Sequence, residues 1–318
     1  MSTLPAVVAP AALAPFDQLL RDAEDLARES LSPATLRAYA SDWRHFSAWS
    51  CGAVVNTVPV PVEVLAAYIA HLVETGCKFS TIRRRVAAIG YVHQRSGCSS
   101  PCGAGPIKSV LSGARRRIGV AVEAKAPATA RALTGMLKRI PDTLAGRRDR
   151  ALLLLGFAAA LRRSELVGLD VEDLQRVPEG LVVHIRRSKT DQDGAGHQVA
   201  VPRGGKLKPV EAVEGYLAAA GISVGAVFRS VEKGGRLGPR LSDRSVARIV
   251  KDRAEAAGLD PETMSGHSLR AGFVTSALEA GADVLKVMDV TRHRSVDTLK
   301  MYDRRAKLFQ QHAGKGFL

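Results

Sequence analysis

The sequence predicts a mainly α protein with a small antiparallel β-sheet, arranged as two domains. Three observations carry this. The 318 residues exceed what one hydrophobic core ordinarily serves. The first third shows helical periodicity without any strand pattern. The remainder places two β-like runs, joined by a Gly-bearing turn, among further helices.

The opening "MSTLPAVVAPAALAP", residues 1–15, is apolar but broken by prolines and lacks a basic start. It is expected to be a disordered lead-in rather than a signal peptide. Residues 16–118 are expected to form an α-helical domain. "SPATLRAYASDWRHFSAWS" begins with Ser-Pro and sets Leu36, Tyr39, Trp43 and Phe46 at helical spacing. "PVEVLAAYIAHLVETG" repeats the plan and stops at Gly76. In "FSTIRRRVAAIGYVHQRSG", Ile82, Val86 and Ile89 share one face, with Arg83, Arg84 and Arg85 crowded beside it. "GVAVEAKAPATA", 119–130, is small, aperiodic and Pro-bearing, and reads as a linker.

Residues 131–318 form the second predicted domain. Helical "RRDRALLLLGFAAALRRSEL" precedes the β-like runs "GLVVHIRRSK" and "HQVAVPR", separated by "DGAG". Helical "VEAVEGYLAAAG" and "LSDRSVARIVKDRAEAAGL" come next. The longest apolar run, "ALLLLGFAAAL", is too short to span a bilayer. A cytoplasmic protein without membrane association is expected.

Charge narrows the partners. Lys and Arg number 46 against 31 Asp and Glu, a formal +15, while 46% hydrophobic content is ordinary for globular chains. A field of that sign favours polyanions, nucleic acid first. The cysteines, Cys51, Cys77, Cys98 and Cys102, lack metal-knuckle spacing and read as free thiols.

Candidate chemistry lies in five places. In "ALRRSELVGL", Glu165 stands one turn after Arg162, where it can brace the guanidinium or form a plain surface ion pair. "HSLR" sets His267 and Arg270 at i, i+3, so one turn presents both to one ligand. "RRSKTDQDGAG" puts Lys189 at a strand-to-turn junction, able to enter a cleft or to be a solvated tip. His293 and Tyr302 are nine positions apart. On one helix that is about two and a half turns, so they share a site only if the chain breaks between them. Ser295 suits an N-cap for a new helix. Tyr302 is one of five tyrosines and sits among Lys300, Arg304 and Arg305. Tyr39, Tyr68, Tyr91 and Tyr216 lie on apolar helix faces and read as core.

Taken in order, Arg162, Lys189, His267-x-x-Arg270, His293 and Tyr302 resemble the catalytic set of the tyrosine recombinases, the integrase family that includes Cre and the Xer proteins. The stretches "LRRSEL", "HSLR" and "HRSVDTLKMY" match its motif boxes, and the resemblance spans roughly residues 30–312. Two positions depart. Arg163 stands directly after the first arginine where an apolar residue is usual, and "TRH" replaces Leu-Gly-His.

The resemblance implies an α-helical, SAM-like core-binding domain and an α+β catalytic domain closing as a C-shaped clamp on DNA. It implies a site-specific recombinase of bacterial, phage or plasmid origin, nucleoid-associated when active. Double-stranded DNA carrying a specific site is the expected partner. The protein would be a monomer or weak dimer in solution and a homotetramer on DNA, exchanging strands through a Holliday junction. Leu308 and Phe309 of the tail would dock on a neighbour.

The chemistry is that of transesterification. Tyr302 would form a 3′-phosphotyrosine link, Arg162 and Arg270 would clamp the phosphate, and His267 would assist proton movement. Lys189 would protonate the departing 5′-oxygen, His293 would bond a phosphate oxygen, and Glu165 would support from behind. Neither metal nor ATP nor any other cofactor is expected. DNA contacts are expected from Arg37, Arg83, Arg84, Arg85 and Arg244, with Arg84 and Arg244 reading bases or holding phosphates. A type IB topoisomerase and a non-catalytic DNA-binding regulator remain the alternative readings.

Overall fold

The computed structural model describes residues 18–299 except 20, 23–25, 27–29, 52–57, 120–124, 187–195, 294 and 297–298. The chain divides into two compact units, Met1–Val122 and Glu123–Leu318.

The first unit is helical throughout its described elements: α1 (Pro33–Cys51), α2 (Val62–Glu74), α3 (Phe79–Arg95) and α4 (Gly105–Ile118). Its core reflects the periodicity. In α3, Ile82, Val86, Ile89 and His93 are buried at spacings of one and two turns, against Leu65, Tyr68, Ile69 and Leu72 of α2. His93 is fully enclosed, and its Nε2 accepts from the Val60 amide at 2.9 Å while Nδ1 lies 2.7 Å from the Ile89 carbonyl. The imidazole thus satisfies a buried amide ahead of α2. Tyr39 and Tyr91, both half-buried, pair their rings at 5.5 Å.

The second unit contains α5 (Ala130–Lys138), α6 (Leu144–Ala158), α7 (Arg163–Gly168), α8 (Pro209–Ala220), α9 (Asp243–Ala256), α10 (Ser268–Glu279) and α11 (Val284–Thr291). Strands β1 (Leu174–Val177), β2 (Gly180–Ile185) and β3 (His197–Pro202) form an antiparallel sheet in that order, with Val183 opposite both Leu174 and Val199. A second hairpin pairs β4 (Arg229–Val231) with β5 (Leu237–Arg240). Strands β2 and β3 coincide with the two β-like runs of the sequence. Strand β5 has no such signal, because "LGPR" carries the Gly and Pro that mark breaks.

Helix α6 is the spine of this unit. From Ala151 to Phe157 every residue is buried, so "ALLLLGF" has no solvent side. Its one buried acid, Asp149, is neutralised by Arg148 and by Arg253 from α9. Such a pair holds its place because stranding one buried charge costs far more than the pair gains.

The last residues of the linker stretch belong to this unit. The Ala126 amide donates to Thr263 and the Ala128 amide to Ser268, each at 2.8 Å. Ala128 is fully buried against α10, where Gly272 allows backbone to lie on backbone. A Cβ at Gly272 would stand 1.9 Å from the Ala128 carbonyl oxygen. Gly272→Ala must therefore push this segment off α10, with a loss of about 1–3 kcal/mol as in other overpacked sites. Urea denaturation should show that loss, and an unchanged midpoint would mean the segment does not fix α10.

Candidate active site

The site is built around Arg270, which is 2% exposed, among the most deeply buried side chains of the protein. Its Nη1 donates to the Ala160 carbonyl at 2.8 Å, and Nη2 donates to the Thr291 carbonyl. These carbonyls close two helices: Ala160 lies just beyond α6, and Thr291 is the last residue of α11. Carbonyls at helix C-termini carry partial negative charge and lack intrahelical donors, so a buried guanidinium suits them. Arg270 is thus a staple between two helix ends.

Each stapled end leads directly into a functional segment. After α6, Ala160 takes a left-handed backbone, φ 45°, and the chain turns through Leu161 to Arg162. Arg162 precedes α7, and Glu165 at the third helical position reaches back to the Arg162 amide at 2.8 Å. This is the reciprocal half of a capping box. The same carboxylate accepts from Arg162 Nη1 at 2.6 Å and from Arg292 Nη2 at 2.7 Å. Burial alone would raise the Glu165 carboxyl, but Arg292 and Arg162 outweigh it and hold it below the usual range. Glu165 stays ionised.

After α11, Arg292 also takes a left-handed backbone, φ 57°, which ends the helix. His293 is next, its Nδ1 2.7 Å from Thr291 Oγ1. Val296 and Leu299 are helical directly after Ser295, and Leu299 packs into the cluster of Val274, Leu278 and Val287. The chain break that the spacing of His293 and Tyr302 requires lies between the end of α11 and Val296, where His293 and Ser295 are both non-helical.

His267 stands at the start of α10, on the same turn as Arg270. Gly266 lets this corner approach Arg163: a Cβ there would meet Arg163 Cδ at 2.0 Å. Local desolvation, then Arg270, Arg162 and Arg163, disfavour the His267 imidazolium. Desolvation, then Arg270, Arg162, His267 and Arg292, lower His293 to about 4. Both imidazoles are neutral at neutral pH, and both feel the same arginines. Arg162, Glu165, His267, Arg270 and His293, spread along the sequence, therefore lie close together in the fold. Such a cluster can hold an oxyanion between guanidiniums and relay a proton through neutral imidazole.

A cleft of about 310 Å³ adjoins it, lined among others by Glu165, Leu169, Asp173, Ile185 and Arg186. Strand β2 ends at this cleft, and Lys189 stands three residues after Arg186 in the sequence. Lys189 itself, Tyr302, the tail residues Leu308 and Phe309, and the lead-in 1–15 lie outside the described residues. Among the described residues, no group of three His, Cys, Asp or Glu is placed to hold a metal. No helix among them is long and apolar enough to cross a membrane.

The remaining arginines lie elsewhere on their units. Arg37 and Arg83 are exposed, and Arg244 is exposed on the first turn of α9. Arg84 is half-exposed and donates to Asp42 through Nε at 2.7 Å and Nη2 at 2.9 Å. Arg85, read with its neighbours as facing DNA, is turned inward: it is 14% exposed, 3.7 Å from Asp42, with Nη1 on Cys77 Sγ. Three residues after Ile82 and four before Ile89, it falls on the buried side of α3, where it meets Asp42 of α1; helical spacing lets only some of the three adjacent arginines face outward. Arg292 is a further member of the site that the motifs do not announce. Its one signal is an arginine at a helix end whose backbone suits glycine.

Comparison with known proteins gives the family. The profile of the phage integrase family matches residues 129–308, and that of the phage integrase N-terminal SAM-like domain matches residues 23–95. An integrase/recombinase xerD homolog of Selenomonas ruminantium is 37% identical over 292 residues, covering 90% of this chain and 85% of its own length. The tyrosine recombinase XerC of Thermodesulfovibrio yellowstonii is 30% identical over 278 residues, 85% of each chain. Among solved structures, a lambda integrase dimer bound to a COC′ core site aligns at TM-score 0.59 and 16% identity, over 91% of this chain and 76% of that one. XerH bound to palindromic difH substrate, a post-cleavage complex, aligns at TM-score 0.56 and 15% identity, over 82% and 73%. The solved structures share the fold, the curated relatives share sequence along most of the chain, and the chain belongs to the phage integrase family, as an Xer-like tyrosine recombinase.

Proposed function

We propose that the protein is a site-specific DNA recombinase that cuts and rejoins strands through a 3′-phosphotyrosine link at Tyr302. The observation that carries this is the gathering of Arg162 and Arg270 with two neutral histidines, through the Arg270 bonds to the segments that lead into Arg162 and His293. Relatives of the same fold are bound to DNA sites, which supports duplex DNA as the partner.

The Tyr302 hydroxyl oxygen attacks the scissile phosphorus, the bond from phosphorus to the 5′-oxygen breaks, and a phosphotyrosyl bond takes its place. His267, neutral and therefore able to accept, takes the phenolic proton. Lys189, which follows β2 in the sequence, gives a proton to the departing 5′-oxygen. Arg162 and Arg270 meet the charge that gathers on the non-bridging oxygens. Neutral His293 carries one ring proton. Thr291 Oγ1 gives its proton to the Val287 carbonyl at 2.7 Å, so His293 Nδ1 donates to Oγ1, and Nε2 is left to bond a phosphate oxygen on taking a proton as charge gathers there.

In the reverse step a 5′-hydroxyl from the partner strand attacks the phosphotyrosine, so no bond energy is lost and no nucleotide is consumed. Two arginines supply the charge that a metal ion supplies in other phosphoryl-transfer sites. Four protomers on two sites, passing through a Holliday junction, complete the exchange. Arg37, Arg83, Arg84 and Arg244 are the exposed or half-exposed arginines assigned to DNA. Arg84, its plane fixed by Asp42, is pre-oriented for a bidentate contact.

Tyr302→Phe should bind a selected site as tightly as the parent and form no covalent adduct on a nicked suicide duplex. A shifted band from this variant on a denaturing gel would remove Tyr302 as nucleophile. Lys189→Ala should cleave slowly on ordinary DNA and recover on a duplex whose 5′-bridging oxygen is sulfur, because a thiolate leaves without a proton. Equal defects on both substrates would take Lys189 out of the acid role.

A further inference from the structure

Arg292 is an arginine where the backbone favours glycine. Its φ of 57° is one of only two positive values among the described non-glycine residues, and the other, at Ala160, lies on the far side of the same staple. Glycine adopts this conformation freely, whereas an L side chain is crowded there. The side chain is also only 5% exposed, and its Nε is buried without a hydrogen-bond partner among the described residues. Two unfavourable features are retained together at one residue, so the guanidinium must do something that glycine cannot.

What it does is visible at Glu165. That carboxylate takes the Arg162 guanidinium on Oε1 and the Arg292 guanidinium on Oε2, which also accepts from the Arg162 amide. A carboxylate paired with Arg162 alone would cancel much of the charge that Arg162 offers a phosphate. With Arg292 on its other oxygen, the carboxylate is shared, and the cluster of Arg162, Arg270, Arg292 and Glu165 keeps a net charge of two positives. The pentacoordinate transition state of a phosphodiester carries two negatives, so the balance matches. The same ion pair ties the turn that bears His293 to the start of α7, which bears Arg162. Movement of either would be felt by the other.

We propose that Arg292 is a positioning residue for strand cleavage, acting through Glu165 to set the charge of Arg162 and the placement of His293. The inference rests on the recombinase reading. The role assigned is not phosphate contact, because Arg292 Nη2 is bonded to the Glu165 carboxylate at 2.7 Å. Its influence should therefore fall on the rate of cleavage and leave DNA affinity alone.

The test uses the full-length chain and a nicked duplex selected by binding from a randomised library. Arg292→Gly keeps the left-handed turn and removes the guanidinium. Cleavage at saturating DNA should fall about ten- to a hundred-fold, the scale of a misplaced catalytic group, with the DNA dissociation constant unchanged. Arg292→Lys should recover part of the rate, because charge returns without the planar fork. In a Glu165→Gln background, Arg292→Gly should cost far less than in the parent, since its partner is already gone. A parent that forms adduct and an Arg292→Gly variant that matches its rate would overturn the role of Arg292 alone. Additive losses in the double variant would overturn the route through Glu165, and a loss of DNA affinity in place of rate would make Arg292 a DNA contact. A parent that forms no adduct would overturn the recombinase reading itself.

Discussion

The guanidinium of Arg270, closed between the last carbonyl of α11 and the Ala160 carbonyl just beyond α6, is the constraint on which the site depends. A charge buried this deeply stays charged only where fixed acceptors replace water. Ala160 and Thr291 are such acceptors because each stands where a helix has run out of donors. Holding those two carbonyls also holds the next residues along the chain: Leu161 to Arg162 on one side, Arg292 to His293 on the other. One side chain on α10 thereby sets the positions of residues far apart in the chain.

The two left-handed residues, Ala160 and Arg292, stand on either side of this staple. Non-glycine residues in that conformation are strained, and such strain persists where surrounding contacts over-determine the backbone. Here those contacts are the Arg270 hydrogen bonds and the Glu165 bridge. The consequence is a site organised before any substrate arrives. Its cations are held by protein partners, and its imidazoles are kept neutral by burial and by their cationic neighbours. Preorganised charge of this kind stabilises a developing oxyanion without reorganisation at the moment of reaction.

Much of this was legible in the sequence, and the division is physical. Helical periodicity gave α1, α2 and α3, and alternation gave β2 and β3, because a buried stripe leaves its period in the text. The i, i+3 pairings of Arg162 with Glu165 and of His267 with Arg270 were legible for the same reason. The features that were not legible depend on contacts between distant segments. Asp42 claims Arg84, a pairing with α1 that no local pattern announces, whereas Arg85, three residues after Ile82 and four before Ile89, falls on the buried side of α3 by spacing alone. Arg292 looked like a motif departure, and only the folded chain brings it to Glu165 across 127 residues. The stretch 126–130 read as linker because it is small and aperiodic, yet its smallness is what lets Ala128 lie against Gly272.

The staple is tested most directly by amide hydrogen exchange on the DNA-free protein, comparing the parent with Arg270→Ala. The amides to monitor are Leu161, bonded to Gly156, and His293, bonded to Met288, with the β2 amides as internal reference. If Arg270 holds both helix ends, exchange should rise at residues 159–162 and 289–293 together, while β2 keeps its protection. A rise at one end only, or at neither, would contradict the claim that this guanidinium organises the site.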